Sequence, residues 1–287
     1  MTVTGILTAE NGNHFIKSEN GQRHFEDRLI WDGYIQHWKG QLVCAREVTQ
    51  KDYTTGQPII LMWPHQPKPE TPYVEIYYNE RLVKYPASTF GHNAINVNGE
   101  FFNFSHLLNE NETMDEGEFM YRPALGEFAP SPRTGAFEIM EDGTSYYDKF
   151  GRNFMRSIDV IYIEGLDTKK LSGIFHDTLN SIHRTPTNPD APEKYRDFNF
   201  IWNSCTTMIR DGLRRYGFNA LNGTLPRDFF VAAAWVMTQA KEKMNLRVRL
   251  YTRPQLKVDE AEFSKQTPLV NPKNRVKNYR LGKMLSS

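Results

Sequence analysis

Phe198-Asn199-Phe200-Ile201-Trp202-Asn203-Ser204-Cys205-Thr206-Thr207-Met208-Ile209-Arg210-Asp211-Gly212-Leu213 reads as a polar turn feeding a helix, with a cysteine at the helix start. Asn203 and Ser204 are both good N-cap residues. Behind Cys205, the apolar residues Met208, Ile209, Leu213 and Tyr216 recur at helical spacing, and Gly217 follows as a stop. A thiol in a first helical turn lies at the positive end of the helix dipole, beside backbone N–H groups that lack intrahelical acceptors. Both features favour the thiolate, the form that attacks a carbonyl carbon. The same N–H groups can hold the oxyanion that the attack creates.

A nucleophilic cysteine needs a base. Upstream, Gly91-His92-Asn93-Ala94-Ile95-Asn96-Val97-Asn98-Gly99-Glu100-Phe101-Phe102-Asn103-Phe104-Ser105 places Asn98-Gly99 between two alternating segments, the strongest short hairpin signal. A two-residue turn sets Val97 opposite Glu100, Ala94 opposite Asn103 and His92 opposite Ser105. His92 and Asn103 then share a face as diagonal neighbours. Asn103 can accept from one ring nitrogen and leave the other for the thiol, which gives nucleophile, base and orienter. His106, just beyond the hairpin, is the rival base.

At these residues the chain resembles the circularly permuted papain-like cysteine hydrolases, relatives of NlpC-type cell-wall peptidases and of lecithin–retinol acyltransferase. The likeness rests on His-before-Cys order, on the His hairpin, and on a Tyr-Asn-x-x-x-Asn-Asn-Cys-Thr-Thr turn of one bacterial branch. Asn199, Asn203, Cys205, Thr206 and Thr207 match that turn; Phe198 replaces the Tyr and Ser204 the second Asn. It covers residues 72–240. The resemblance implies an α+β fold, a permuted papain-like domain of antiparallel sheet plus helices. It implies Cys205 as nucleophile, His92 as base and Asn103 in the third position, where many members carry His. Thr206, Asn203 and Asn199 become the substrate-binding or oxyanion residues. Neither metal nor cofactor is expected.

The implied activity is that of a thiol peptidase or amidase on peptidoglycan stem peptides. A leaderless enzyme of this kind with a separate β module resembles antibacterial effectors of type VI secretion. That implies a toxin with an immunity protein, carried by the secretion apparatus through its N-terminal module. Two other readings stay open: a thiol acyltransferase or phospholipase acting on lipid esters, with aromatics of 101–147 serving an acyl chain, and a non-catalytic binding protein on the same scaffold.

Lys+Arg 35 against Asp+Glu 34 gives a net charge of +1, which argues against a dedicated nucleic-acid binder. Mean hydropathy is −0.61. No apolar run approaches the roughly 18 residues of a membrane span, the longest being 229–237. Met1-Thr2-Val3-Thr4-Gly5 lacks the basic and apolar regions of a signal peptide. The expectation is synthesis in the cytoplasm and a leaderless route to any target periplasm. Two cysteines make no disulfide framework, and Cys44, in the strand-like run 42–45, reads as a buried core thiol.

Residues 1–66 read as a small β-barrel or sandwich-like module, for docking or recognition or as a structural cap. Its strands are expected at 28–35, 41–48 and 58–63. His14, His24, His37 and His65 show no metal-ligand spacing. Four prolines within 64–72 mark a semi-rigid linker. The catalytic domain then spans 67–252, with strands at 73–78 and 158–163, a helix capped by Asp167-Thr168 and running to about 182, a helix from Asp228 to about 244, and an edge strand at 246–251. His176 and His183 read as edge or capping residues of the first of these helices. Periodicity breaks down over about 106–156, which reads as a lid or substrate-binding insertion. Residues 253–287, polar and poor in apolar anchors, read as a loose or disordered tail.

Overall fold

The computed structural model describes residues 1–51, 57–67, 69–82, 89–108, 111–121, 153, 156–192, 194–256 and 264–285. Most of the insertion expected at 106–156 lies outside them. The chain is α+β, with two antiparallel sheets of five and six strands, a two-stranded ribbon and six helices among the described residues. It divides into two compact units. One comprises Met1–Lys68, Glu116–Phe154 and Lys257–Ala261; the other comprises Pro69–Asp115, Met155–Leu256 and Glu262–Ser287.

The first unit is built on strands β1 (Val3–Glu10), β2 (Asn13–Lys17), β3 (Arg23–His24), β4 (Leu42–Lys51) and β5 (Pro58–Pro64) in the order β3-β2-β1-β4-β5. The hairpin joining β1 and β2 turns at Asn11-Gly12, both with positive φ. The strand expected at 28–35 is instead irregular chain leading into helix α1 (Asp32–Trp38). Trp31, Tyr34 and Trp38 are spaced for one helical face rather than for alternation. Tyr34 stacks on Trp38 with ring centroids 4.9 Å apart, and meets Trp31 edge-on at 5.2 Å. A short helix α2 (Glu116–Tyr121), from within the expected insertion, belongs to this unit rather than to the His–Cys domain. Its Glu118 pairs with Arg46 at 2.7 Å, and the Tyr121 carbonyl accepts from the Tyr34 hydroxyl. Cys44 is half-buried rather than a core thiol. Its sulfur lies 3.4 Å from Thr4 Oγ1 and 3.5 Å from His65 Nδ1.

The second unit carries β6 (Tyr73–Asn79), β7 (Arg81–Leu82), β8 (His92–Val97), β9 (Glu100–Asn103), β10 (Glu112–Met114), β11 (Ile158–Glu164), β12 (Arg247–Arg253) and β13 (Ser264–Lys265). Its main sheet has the order β10-β9-β8-β6-β11-β12, while β7 and β13 form the ribbon. As expected of a half-exposed pattern, β12 is an edge strand. Alternate residues Val74, Ile76, Ile95, Val97, Phe102, Ile161 and Ile163 form one apolar face with period two. Three helices pack on this face: α3 (Thr168–Arg184), α4 (Cys205–Tyr216) and α5 (Pro226–Ala240). Leu171, Phe175, Leu179 and Ile182 of α3 repeat at helical spacing and are all buried. Each stabilises the fold by about 1.5–3 kcal/mol. Asp167 caps α3 by accepting from the Lys170 N–H at 3.0 Å.

The tail expected at 253–287 is not loose over its described part. It contributes β13 and helix α6 (Pro272–Leu285), and Leu269 and Leu281 are buried. The anchor is Asp228 in the first turn of α5. Its carboxylate accepts the N–H groups of Val270 at 2.9 Å and Asn271 at 3.0 Å and the Asn274 amide at 3.0 Å. A carboxylate there satisfies donors that otherwise go unpaired at the start of a helix.

Candidate active site

The turn ahead of α4 is closed by its asparagines. Asn199 and Asn203 exchange backbone hydrogen bonds at 3.2 and 2.9 Å, and the Asn199 carboxamide oxygen accepts the N–H groups of Ile201 and Trp202. The Asn203 amide donates to the Tyr195 hydroxyl and to the Asp197 carbonyl. Neither asparagine lines the cavity described below; both shape the backbone that delivers Cys205. The oxyanion or substrate role expected of them therefore has no geometry behind it. Ser204 is the N-cap, in a reciprocal capping box with Thr207. That places Cys205 at the first helical position. Gly217, at φ 141°, ends the helix where expected.

The hairpin has the expected register. Val97 pairs with Glu100, Asn96 with Phe101 and Ile95 with Phe102, around Asn98 at φ 55° and Gly99 at φ 95°. His92 Nε2 lies 2.7 Å from Asn103 Oδ1, across the expected diagonal. With Nε2 donating to that oxygen, Nδ1 is left for the thiol of Cys205, whose ionisation the charge of His92 favours. Gly91 sets the entry to this strand at φ 75°. A Cβ there would lie 2.5 Å from the Asn79 carbonyl oxygen, so only glycine lets the chain enter β8 at this point.

Asn93 is the residue that sequence reasoning missed. It is fully buried beside His92. Its side-chain amide donates to the Tyr77 carbonyl at 2.9 Å, and its oxygen accepts from Thr206 Oγ1 at 2.9 Å. Its backbone N–H also helps to lower the Cys205 thiol. Asn93 thus fastens the first turn of α4 to β8 through its side chain. No motif could have announced it, because a backbone donor carries no residue signature.

These contacts set the charge state. Burial pushes the Cys205 thiol up, but the His92 charge and hydrogen bond outweigh it, helped by the Asn93 N–H and the Thr206 hydroxyl. The thiol falls from 9.0 to about 7. Burial conversely pulls His92 down, and the Cys205 thiolate and the Asn103 bond more than offset this, so His92 rises above the ordinary imidazole range. A thiolate–imidazolium pair is therefore favoured near neutrality. His106, the rival base, is lowered by burial and by the charges of Lys194 and His92. It is a wall residue, edge-on to Phe198 at 5.8 Å and 3.4 Å from Ser105 Oγ.

His92, Cys205 and Thr206 open onto a cavity of about 490 Å³. Its walls include Phe90, Phe104, Phe198 and Phe200, and its charged side chains besides His92 are Lys194 and Arg196. The remaining expected positions are structural. His176 pairs with Glu100 at 2.9 Å, and His183 Nε2 lies 2.6 Å from the Asn111 carbonyl. Among the described residues no cluster of His, Cys, Asp and Glu could hold a metal ion, and no helix is long and apolar enough to cross a membrane.

Comparison with protein-family models, with curated proteins and with solved structures finds no match in any of the three.

Proposed function

We propose that this chain is a cysteine hydrolase of permuted papain-like architecture that cleaves an amide bond. What supports the reading is His92, held by Asn103 at 2.7 Å, opening with Cys205 of the α4 start onto one cavity, where its charge helps draw the thiol down to about 7. In this mechanism the Cys205 thiolate attacks the carbonyl carbon while the N–H of Cys205, in the first turn of α4, donates to the oxyanion. His92, protonated by the thiol, passes that proton to the departing amine as the tetrahedral intermediate collapses to a thioester. Water then enters, His92 takes its proton, and a second collapse releases the acid and the thiol. Asn103 holds the imidazole in the orientation both transfers need, and acts as a positioning residue.

The substrate proposed is the peptidoglycan stem peptide, met in the periplasm of a target cell by an antibacterial effector. An immunity protein and carriage through the first unit belong to the same proposal. The support is the Asn199–Thr207 turn and the His hairpin, which resemble those of cell-wall enzymes. One observation favours acyl transfer or hydrolysis on a lipid ester instead: four phenylalanines wall the cavity. Periplasmic expression in a Gram-negative host, wild type beside Cys205→Ala and His92→Ala, separates the two. Lysis with new muropeptides, abolished by both substitutions, is expected. Altered phospholipids with an intact sacculus would move the assignment to the lipid ester, and toxicity that survives Cys205→Ala would sink the thiol mechanism.

A further inference from the structure

The apolar residues around the cleft do not all serve its interior. Phe200, Ile201 and Trp202 follow one another on the turn ahead of Cys205, with exposures of 65%, 54% and 74%, and Phe90 on the opposite lip is 44% exposed. Phe90 and Phe200 meet across the mouth with ring centroids 6.4 Å apart, and Phe200 rests edge-on against Phe198 at 5.2 Å. Ile201 and Trp202 do not line the cavity. Yet this turn is held rigidly, through the Asn199 carboxamide and the two-way Asn199–Asn203 pairing. Three consecutive large apolar side chains on a braced, solvent-facing turn are an arrangement that packing within the fold does not account for.

Charge narrows the occupant. Among the described charged side chains other than the His92–Cys205 pair, the cavity behind this rim is lined by the cations Lys194 and Arg196; Asp190 and Asp197, exposed on the same loop, do not line it. A rim of Phe, Ile and Trp over a cation-lined opening is complementary to a surface that is anionic outside and hydrocarbon just beneath. Trp side chains favour that boundary, and basic residues near it are drawn to anionic headgroups. A protein partner needs roughly 800 Å² of matched surface on each side, more than one tight turn presents, whereas seating at a lipid interface needs only a few inserted side chains.

We propose that the turn bearing Phe200, Ile201 and Trp202, with Phe90 across the mouth, is a docking surface for a lipid bilayer carrying anionic headgroups, and that it seats the Cys205 cleft on that surface. The inference rests on the cysteine-enzyme reading only for the word cleft; the docking itself needs no catalysis. A bilayer-seated cleft meets amphiphilic acyl substrates directly, and meets a stem peptide only where that peptide is held at the membrane.

Flotation with phosphatidylcholine vesicles, with and without phosphatidylglycerol, tests it on the full chain carrying Cys205→Ala. Binding is expected to the anionic vesicles, weakened by salt, and to fall about ten-fold or more in Ile201→Ser/Trp202→Ser. The same double substitution in the Cys205 protein should leave iodoacetamide alkylation of the thiol unchanged, which shows that the site still folds. Absence of binding to anionic vesicles, equal binding to neutral ones, or binding untouched by the double substitution would each overturn the proposal. Alkylation that fails in wild type would count against the activated thiol and leave the flotation result standing on its own.

Discussion

The sharpest expectation concerns His92→Gln. Glutamine keeps polarity and much of the volume but removes the charge and the hydrogen bond that hold the Cys205 thiol down. Burial then dominates, and the thiol returns toward the 9.0 of an ordinary cysteine. At pH 7 the native thiol is about half ionised, against about 1% for a thiol at 9.0, roughly a fifty-fold difference in thiolate. A thiolate also loses intrinsic nucleophilicity as its pKa falls, with a Brønsted slope of about 0.4–0.5, and two units give back roughly eight-fold. Alkylation at pH 7 should therefore slow by only about six-fold in the variant. At high pH the order reverses, the two profiles crossing near about pH 8, with the variant's plateau roughly eight-fold higher. Amide hydrolysis behaves differently, because it also loses the proton donor to the leaving group, a further loss of about 10²–10⁴. The assay is iodoacetamide alkylation from pH 5 to 10.5, read by mass spectrometry in a Cys44→Ser background, since Cys44 is the other free thiol and is half-exposed. A native inflection near 9, or one near 7 that stays in place after His92→Gln, would refute the argument that His92 sets the thiolate.

Asn103→Ala should lower His92, whose elevation owes part to that bond, and reduce kcat by about ten- to a hundred-fold with KM little changed, the cost of a lost bond to a charged group. Glycine positions in the α3–α4 packing should split in sign. A Cβ at Gly212 would fall 2.3 Å from the Phe175 ring, so Gly212→Ala should destabilise by about 1–3 kcal/mol in urea unfolding. Gly173 of α3 has open space around it, and Gly173→Ala should stabilise by about 0.5–1 kcal/mol. Asp228→Ala strands three donors at the start of α6. It should lower thermal stability by about 1.5–3 kcal/mol and expose the chain near 270 to proteolysis.

How far the sequence reached depended on the range of each interaction. The hairpin at Asn98-Gly99 was legible because a two-residue turn with positive φ fixes register over a handful of residues, and that register brings Asn103 to His92. The same signal at Asn11-Gly12 forms the β1–β2 hairpin, in a stretch where no strand is among the expected ones. The segment 28–35, expected as a strand, leads into helix α1 instead. The aromatic spacing at 31, 34 and 38 belongs to a helix face, and the two periods are hard to tell apart over so few residues. The C-terminal segment looked loose because α6 shows few apolar anchors. What orders it includes one carboxylate, Asp228, more than forty residues away, together with the burial of Leu269 and Leu281.

The sequence by itself determined strands β6, β11 and β12 and helices α3 and α5 of the second unit, the helix start that carries Cys205, and the hairpin that carries His92. Each is written in local chemistry: caps, turn residues and a repeat of two or 3.6. The tertiary structure decided the rest. It brought the strand carrying His92 against the helix carrying Cys205 through Asn93 and Thr206, residues 113 apart in the chain. It withdrew Asn199 and Asn203 from the cleft to brace its turn, and left Phe200, Ile201 and Trp202 facing solvent. It set the charge of the thiol, because a pKa answers to every group within a few ångströms whatever its place in the chain.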